Sequence, residues 1–193
     1  MAGLTSHAGL LYGTTQYGGP SNSGTVFRLN LKTGAEDILY SFESGSDGSL
    51  PLAGVVYVKG TPYGTTGAGG GGPCGLGCGT VFMVDAATGA ETVLHRFNNA
   101  DGWLPQAMLA YWNGVFYGTT GGGGASGGGL FGKCTIFAVD PATGEETVLH
   151  SFDGNDGEGP SGLIYGGGAF YGIAGGGDTA CVDGCGTVFK FVP

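Results

Sequence analysis

Tyr12-Gly13-Thr14-Thr15 recurs as Tyr63-Gly64-Thr65-Thr66, as Tyr117-Gly118-Thr119-Thr120 and, in weaker form, as Tyr171-Gly172-Ile173-Ala174. The steps are 51, 54 and 54 residues. Downstream of each copy stands a second motif, Gly24-Thr25-Val26-Phe27, Gly79-Thr80-Val81-Phe82, Cys134-Thr135-Ile136-Phe137 and Gly186-Thr187-Val188-Phe189. A Thr-Gly-x-Glu turn follows three of them (Thr33 to Glu36, Thr88 to Glu91, Thr143 to Glu146) and leads into segments ending at Phe42, Phe97 and Phe152. From the first Phe to the second is 15 residues in all three units, which fixes a hairpin of one length. Self-similarity at a period of roughly 50 residues is the signature of a repeat architecture.

Each unit reads as four strands, A to D, bounded by turn chemistry. Strand A ends near Ser6, Tyr57, Tyr111 and Tyr165, and a two-residue turn closing on Gly9, Gly60, Gly114 or Gly168 follows. Asn113-Gly114 is a favoured hairpin dipeptide because both positions need positive φ. Strand B carries Tyr-Gly-Thr-Thr, strand C carries Gly-Thr-Val-Phe, and strand D is the stretch after the Thr-Gly turn. Glycine makes up 46 of 193 residues, with 41% hydrophobic and 11% charged, a composition for short strands and tight turns with essentially no helix. Four short antiparallel strands bury little alone and must stack on their neighbours, and radial repetition does this without long exposed edges. The expectation is an all-β single domain over 1–193, a β-propeller of four blades at about 1–47, 48–101, 102–156 and 157–193. The fourth unit stops at Phe191-Val192-Pro193 in strand C, and residues 1 to 3 are too few to supply its outer strand. Three outcomes stay open for it: a ring closed without strand exchange, a fragment of a longer propeller, or open ends that pair with other copies.

Strict alternation along strand D puts Val93, His95 and Phe97 on one face, packed blade to blade, with Leu94 and Arg96 on the other. Alternating strand direction places the B-to-C and D-to-A loops on one face of the array. Those loops carry the length variation: Tyr to strand C spans 12, 16, 17 and 15 residues. Variable loops on a rigid scaffold are where binding concentrates.

The Tyr-Gly-Thr-Thr, Gly-Gly, Gly-Thr-Val-Phe and Thr-Gly-x-Glu run resembles the bacterial GloVer tandem repeat over nearly the whole chain. The stretch Val84-Asp85-Ala86-Ala87-Thr88-Gly89 is also similar to the blade motif of quinoprotein-type propellers. The first resemblance implies a surface or secreted bacterial protein with no assigned activity. Both specify architecture and say almost nothing of chemistry.

Six basic residues against fifteen acidic ones leave no cationic footprint for nucleic acid or an anionic membrane. No apolar run is long enough to span a bilayer, and the first six residues have neither the basic start nor the apolar stretch of a signal peptide. The chain as given carries no address, so it is either intracellular or a mature or partial chain.

Cys74 and Cys78, and Cys181 and Cys185, occupy the same B-to-C loop in the second and fourth units. Three intervening residues with glycine let each pair close a small disulfide, which implies an oxidising compartment. The competing reading, four thiolates converging on zinc across a ring, lacks any accompanying His. Cys134 replaces a strand-C glycine and reads as a small buried hydrophobe. Asp47-Gly48, Asp101-Gly102 and Asp156-Gly157 precede Pro51, Pro105 and Pro160 in the D-to-A loops. A ring of carboxylates there could hold Ca²⁺ or sugar hydroxyls, whereas the plain reading is that Asp-Gly makes the turn. The candidate ligand-binding residues are Asp47, Asp101, Asp153, Asp156 and Glu158, with Trp103 as a stacking surface. Recurring tyrosines read as blade packing. His95 and His150 share a repeat position with Tyr40, so that position reads as packing rather than as a base. No nucleophile elbow or phosphate loop is present, so no catalytic residue and no cofactor is assigned. The expected role is an extracellular or cell-surface binding or structural module with a glycan or protein ligand on the variable loop face. A self-assembling scaffold is one alternative and a propeller lyase or hydrolase the other.

Overall fold

The computed structural model describes residues 3–124, 134–178 and 185–193, with Asp178 and Cys185 described by their backbone only. Unit one holds β1 (Thr5–His7), β2 (Leu10–Thr15), β3 (Thr25–Asn30) and β4 (Glu36–Ser41). Unit two holds β5 (Val56–Val58), β6 (Thr61–Thr66), β7 (Thr80–Val84) and β8 (Glu91–Arg96). In unit three β9 (Trp103–Pro105) precedes β10 (Ala110–Trp112), β11 (Val115–Gly122), β12 (Thr135–Val139) and β13 (Glu146–Ser151). Unit four has β14 (Leu163–Gly166), β15 (Ala169–Asp178) and β16 (Cys185–Phe191). Every pairing between the described strands is antiparallel, giving sheets of four, four, five and three strands in chain order. The all-β blade array and the three-stranded last blade are as the repeat predicts.

The turns form for local reasons. Asn113 and Gly114 have φ of 50° and 90°, and Ala8-Gly9, Lys59-Gly60 and Gly167-Gly168 take the same double left-handed turn. In the C-to-D turn, the side chain of Asn30 accepts backbone N–H bonds from Lys32 and Thr33, as Asp85 does from Ala87 and Thr88. That motif sets the length of the hairpin.

Strand D departs from strict alternation. The register shifts between Val26 and Phe27, between Val81 and Phe82, and between Ile136 and Phe137, so Val81 faces His95 while Phe82 faces Val93. Leu94 is the extra residue of a β-bulge, and Leu39 and Leu149 are its equivalents. All three pack half-buried against an inter-blade core, so Leu94 is not turned away from it as alternation alone predicts.

The core lies between blades. The Phe closing each strand D meets the strand-C Phe of the next blade edge on, with Phe42 to Phe82, Phe97 to Phe137 and Phe152 to Phe189 at 5.1, 5.0 and 5.3 Å between ring centroids. The strand-B tyrosines lie against the next blade in the same way, Tyr12 on Tyr57 and Tyr117 on Phe170. The D-to-A segment is also clamped between blades: Leu50 N–H bonds Ser23 O and Gly67 N–H bonds Leu50 O, each at 2.9 Å. In unit three this segment is regular enough to pair with β11 as β9, which accounts for the fifth strand.

The two ends of the array are open. Val26, Val81 and Ile136, one per blade, are sealed by the following blade, whereas Val188 at the same position is 80% exposed. At the other end Leu4 is 57% exposed, while Val55 and Leu109 at its repeat position are buried. A Cβ on Gly89 or Gly144 would stand 2.7 or 2.5 Å from the Leu39 or Leu94 carbonyl oxygen of the preceding blade, but at Gly34 it would meet nothing. Blades one and four therefore do not cover one another, and the ring is not closed within this chain.

Candidate functional site

The loop-face aspartates turn inward. Asp47 accepts the backbone N–H of Gly45 and of Glu43, and its Oδ2 also accepts the Tyr40 hydroxyl at 3.0 Å. Asp101 accepts the backbone and side-chain N–H groups of Asn98, and its Oδ2 lies 3.1 Å from His95 Nε2. Asp156 accepts the Asp153 N–H and lies 2.7 Å from His150 Nε2. Each aspartate clasps its own loop to strand D, and the residue it grips, Tyr40, His95 or His150, stands edge on against Phe42, Phe97 or Phe152. The shared Tyr/His position is thus a hydrogen-bonding post as well as a packing residue, because both side chains offer a polar tip to the same carboxylate.

A further carboxylate arrives from the following blade. Glu91 opens strand β8 and has a fully buried Oε1 with no hydrogen-bond partner, and Glu146 at the start of β13 repeats this. Burial and then the Asp47 charge push Glu91 up to about 7, with Arg96 opposing. Burial also pushes Glu146 up to about 7, His95 opposing it and Asp101 adding to it. Donor atoms of His95, Asp101 and Glu146 lie within 4.8 Å of one another and are of the type that holds a divalent cation. At the preceding junction Tyr40 stands in place of the His while the glutamate keeps the same raised pKa, so the feature the two junctions share is a carboxyl that burial raises to about 7. In the sequence Glu91 and Glu146 stand only as the end of the Thr-Gly-x-Glu turn, and a Glu at one fixed repeat position in a charge-poor chain is the signal for their role at the junction.

At the third junction no strand D follows, and the His150 and Asp156 side chains are 40% and 41% exposed. Asp153 and Glu158 are exposed beside them, and the Asn155 backbone N–H holds the Asp153 carboxyl below its ordinary value. The acidic candidates thus divide by exposure: Asp47 and Asp101 are covered loop clasps, while Asp156 is a clasp left half exposed, with Asp153 and Glu158 open beside it. Trp103 starts β9, pairs opposite Gly122 and packs half-buried against the core between blades two and three, so only part of its indole faces solvent.

The cysteine reading holds for one pair. Cys74 and Cys78 form a disulfide with Cα atoms 5.1 Å apart, which removes both from any zinc site. Cys181 lies outside the described residues and Cys185 has no described side chain. Gly69 to Gly72 all have φ between 72° and 84° and carry the pinned loop: Gly69 N–H bonds Leu76 O at 2.8 Å and Cys78 N–H bonds Gly71 O at 3.1 Å. Leu76 sits at its tip, 79% exposed. Cys134 is wholly buried, accepts the Gly159 N–H, and has its thiol pushed up by burial.

A family model described as the Gloeobacter/Verrucomicrobia repeat matches residues 75–193. The chain belongs to this repeat family. Among curated proteins there is no match to the sequence. Several solved propellers share the fold of this Gloeobacter/Verrucomicrobia repeat. The β-propeller domain of the trilobed protease from Pyrococcus furiosus, described as having an open velcro topology, matches at TM-score 0.50 and 13% identity over 99% of this chain and 57% of that one. TolB from Acinetobacter baumannii matches at TM-score 0.53 and 12% identity over 94% of this chain and 38% of that one. The repeat array thus spans well under two thirds of either relative, and at these identities the likeness shows the fold alone.

Proposed function

We propose that this repeat array is an extracellular or cell-surface binding module that works by contact, taking a glycan or protein ligand on the face of the B-to-C and D-to-A loops. The observation that carries the reading is Leu76, an apolar side chain 79% exposed at the tip of a loop pinned by the Cys74–Cys78 disulfide. An apolar residue held rigidly in water suits a contact at an interface, because its ordering cost is met before a partner arrives. The disulfide favours an oxidising compartment. The open patch of Asp153, Asp156 and Glu158 on the same face offers acceptors for hydroxyl or cationic groups. Binding of the wild-type chain to an array of glycans and purified surface proteins tests this. The expected result is retention on one class of ligand, lost on Leu76→Asp. An array on which wild type and Leu76→Asp behave alike overturns it.

A further inference from the structure

We propose that the trailing face of blade four docks on the leading face of blade one of a second copy, repeating between chains the junction that joins consecutive blades within one. This goes beyond the loop-face reading, and neither depends on the other.

The internal junctions define what each end face lacks. Tyr12 and Val26 of blade one are buried against Val55, Tyr57 and Phe82 of blade two. Blade four keeps the same two positions as Tyr171 and Val188, and both are exposed. On the leading side, Val55, Phe82 and Val84 are sealed in blade two, while their equivalents in blade one, Leu4, Phe27 and Leu29, are exposed or half-exposed. Each copy therefore carries one uncovered face of each kind, and blade four keeps the strand-B and strand-C residues of the junction while lacking the strand-D Phe that meets Phe82, Phe137 or Phe189 inside the chain.

The trailing face of blade four is also more apolar than the internal faces it matches. Thr14 and Thr119 donate hydrogen bonds to carbonyls of the next blade, Ala53 O at 2.7 Å and Pro160 O at 3.3 Å. Ile173 takes that position in blade four and Ile164 stands beside it, 72% exposed. With Tyr171 they line a shallow cleft of about 380 Å³ that runs on past Leu163 to Met108 of blade three. A contiguous apolar sheet face of this kind is an interaction surface. The junction is heterologous, and two copies would bring about eight blades, within the range of closed propeller rings.

Two substitutions at exposed positions, Val188→Asp on the trailing face and Leu4→Asp on the leading face, test the junction by sedimentation equilibrium, with circular dichroism confirming the β fold of each. Wild type is expected to form a two-copy species. Each variant alone has no compatible pair of faces and should sediment as a monomer. Mixed in equal amounts, they should associate again, because the Leu4→Asp copy supplies an intact trailing face and the Val188→Asp copy an intact leading face. A monomeric wild type, a variant that keeps the wild-type state, or a mixture that stays monomeric overturns the proposal.

Discussion

Replacing Glu91 and Glu146 by glutamine should make this protein more stable at pH 8 and leave it nearly unchanged at pH 4. Both carboxyls are moved from an ordinary 4.5 to about 7 by burial. A group with a raised folded-state pKa binds protons more tightly folded than unfolded, so its stabilisation is full below 4.5 and is lost as pH rises through about 7. The full shift would correspond to about 3 kcal/mol for each group. Both residues are half-buried, and screening by solvent reduces this to about 1–2 kcal/mol each. Together they give about 3 kcal/mol, or a melting-temperature difference of roughly 6–12 °C for a chain of this size. Glutamine copies the shape of the protonated acid and does not ionise, so the double variant should lose this part of the pH dependence. Thermal unfolding of wild type and Glu91→Gln/Glu146→Gln at both pH values reads it directly. A double variant with the wild-type slope, or one less stable than wild type at pH 8, refutes the reasoning, the latter because it would mean the carboxylates are held as anions by a counter-charge.

Two further outcomes follow from the loops and turns. Cys74→Ser/Cys78→Ser should cost about 2 kcal/mol in urea unfolding, the loop-closure value for so short a ring, without loss of β structure by circular dichroism. Gly34→Ala and Gly89→Ala impose the same left-handed strain, with φ of 70° and 74°, of about 1 kcal/mol or more. Only at Gly89 does the added methyl meet the preceding blade, so its melting temperature should fall further, and equal losses would contradict the junction described here.

The repeat, the A-to-B turns, the inter-blade tyrosines and the loop disulfide were legible because each rests on local chemistry that recurs at a fixed offset. The bulge at Leu39, Leu94 and Leu149 was not, since a period-two pattern carries no mark of an inserted residue until the partner strand is known. The clasp of Asp101 on His95 escaped for a related reason: a Tyr/His alternation looks like packing until the shared carboxylate is in view. Trp103 looked available in a loop, yet the loop pairs as a strand with the next blade and partly covers the indole. Strand pairing decided the bulge and the Trp103 environment, and the fold of a short loop back onto strand D decided the clasp; a period-two pattern encodes neither.

One inter-blade junction repeats within the chain, and the outer face of blade four lacks it. Val81→Asp and Val188→Asp place the same charge at the same repeat position, one wholly buried and the other 80% exposed. Measured by thermal unfolding in a Leu4→Asp background, Val81→Asp should lose about 4 kcal/mol or more, as expected for an unpaired buried charge, while Val188→Asp should unfold within about 0.5 kcal/mol of its parent. Comparable losses from the two substitutions would mean that blade one covers blade four, and would contradict the open array.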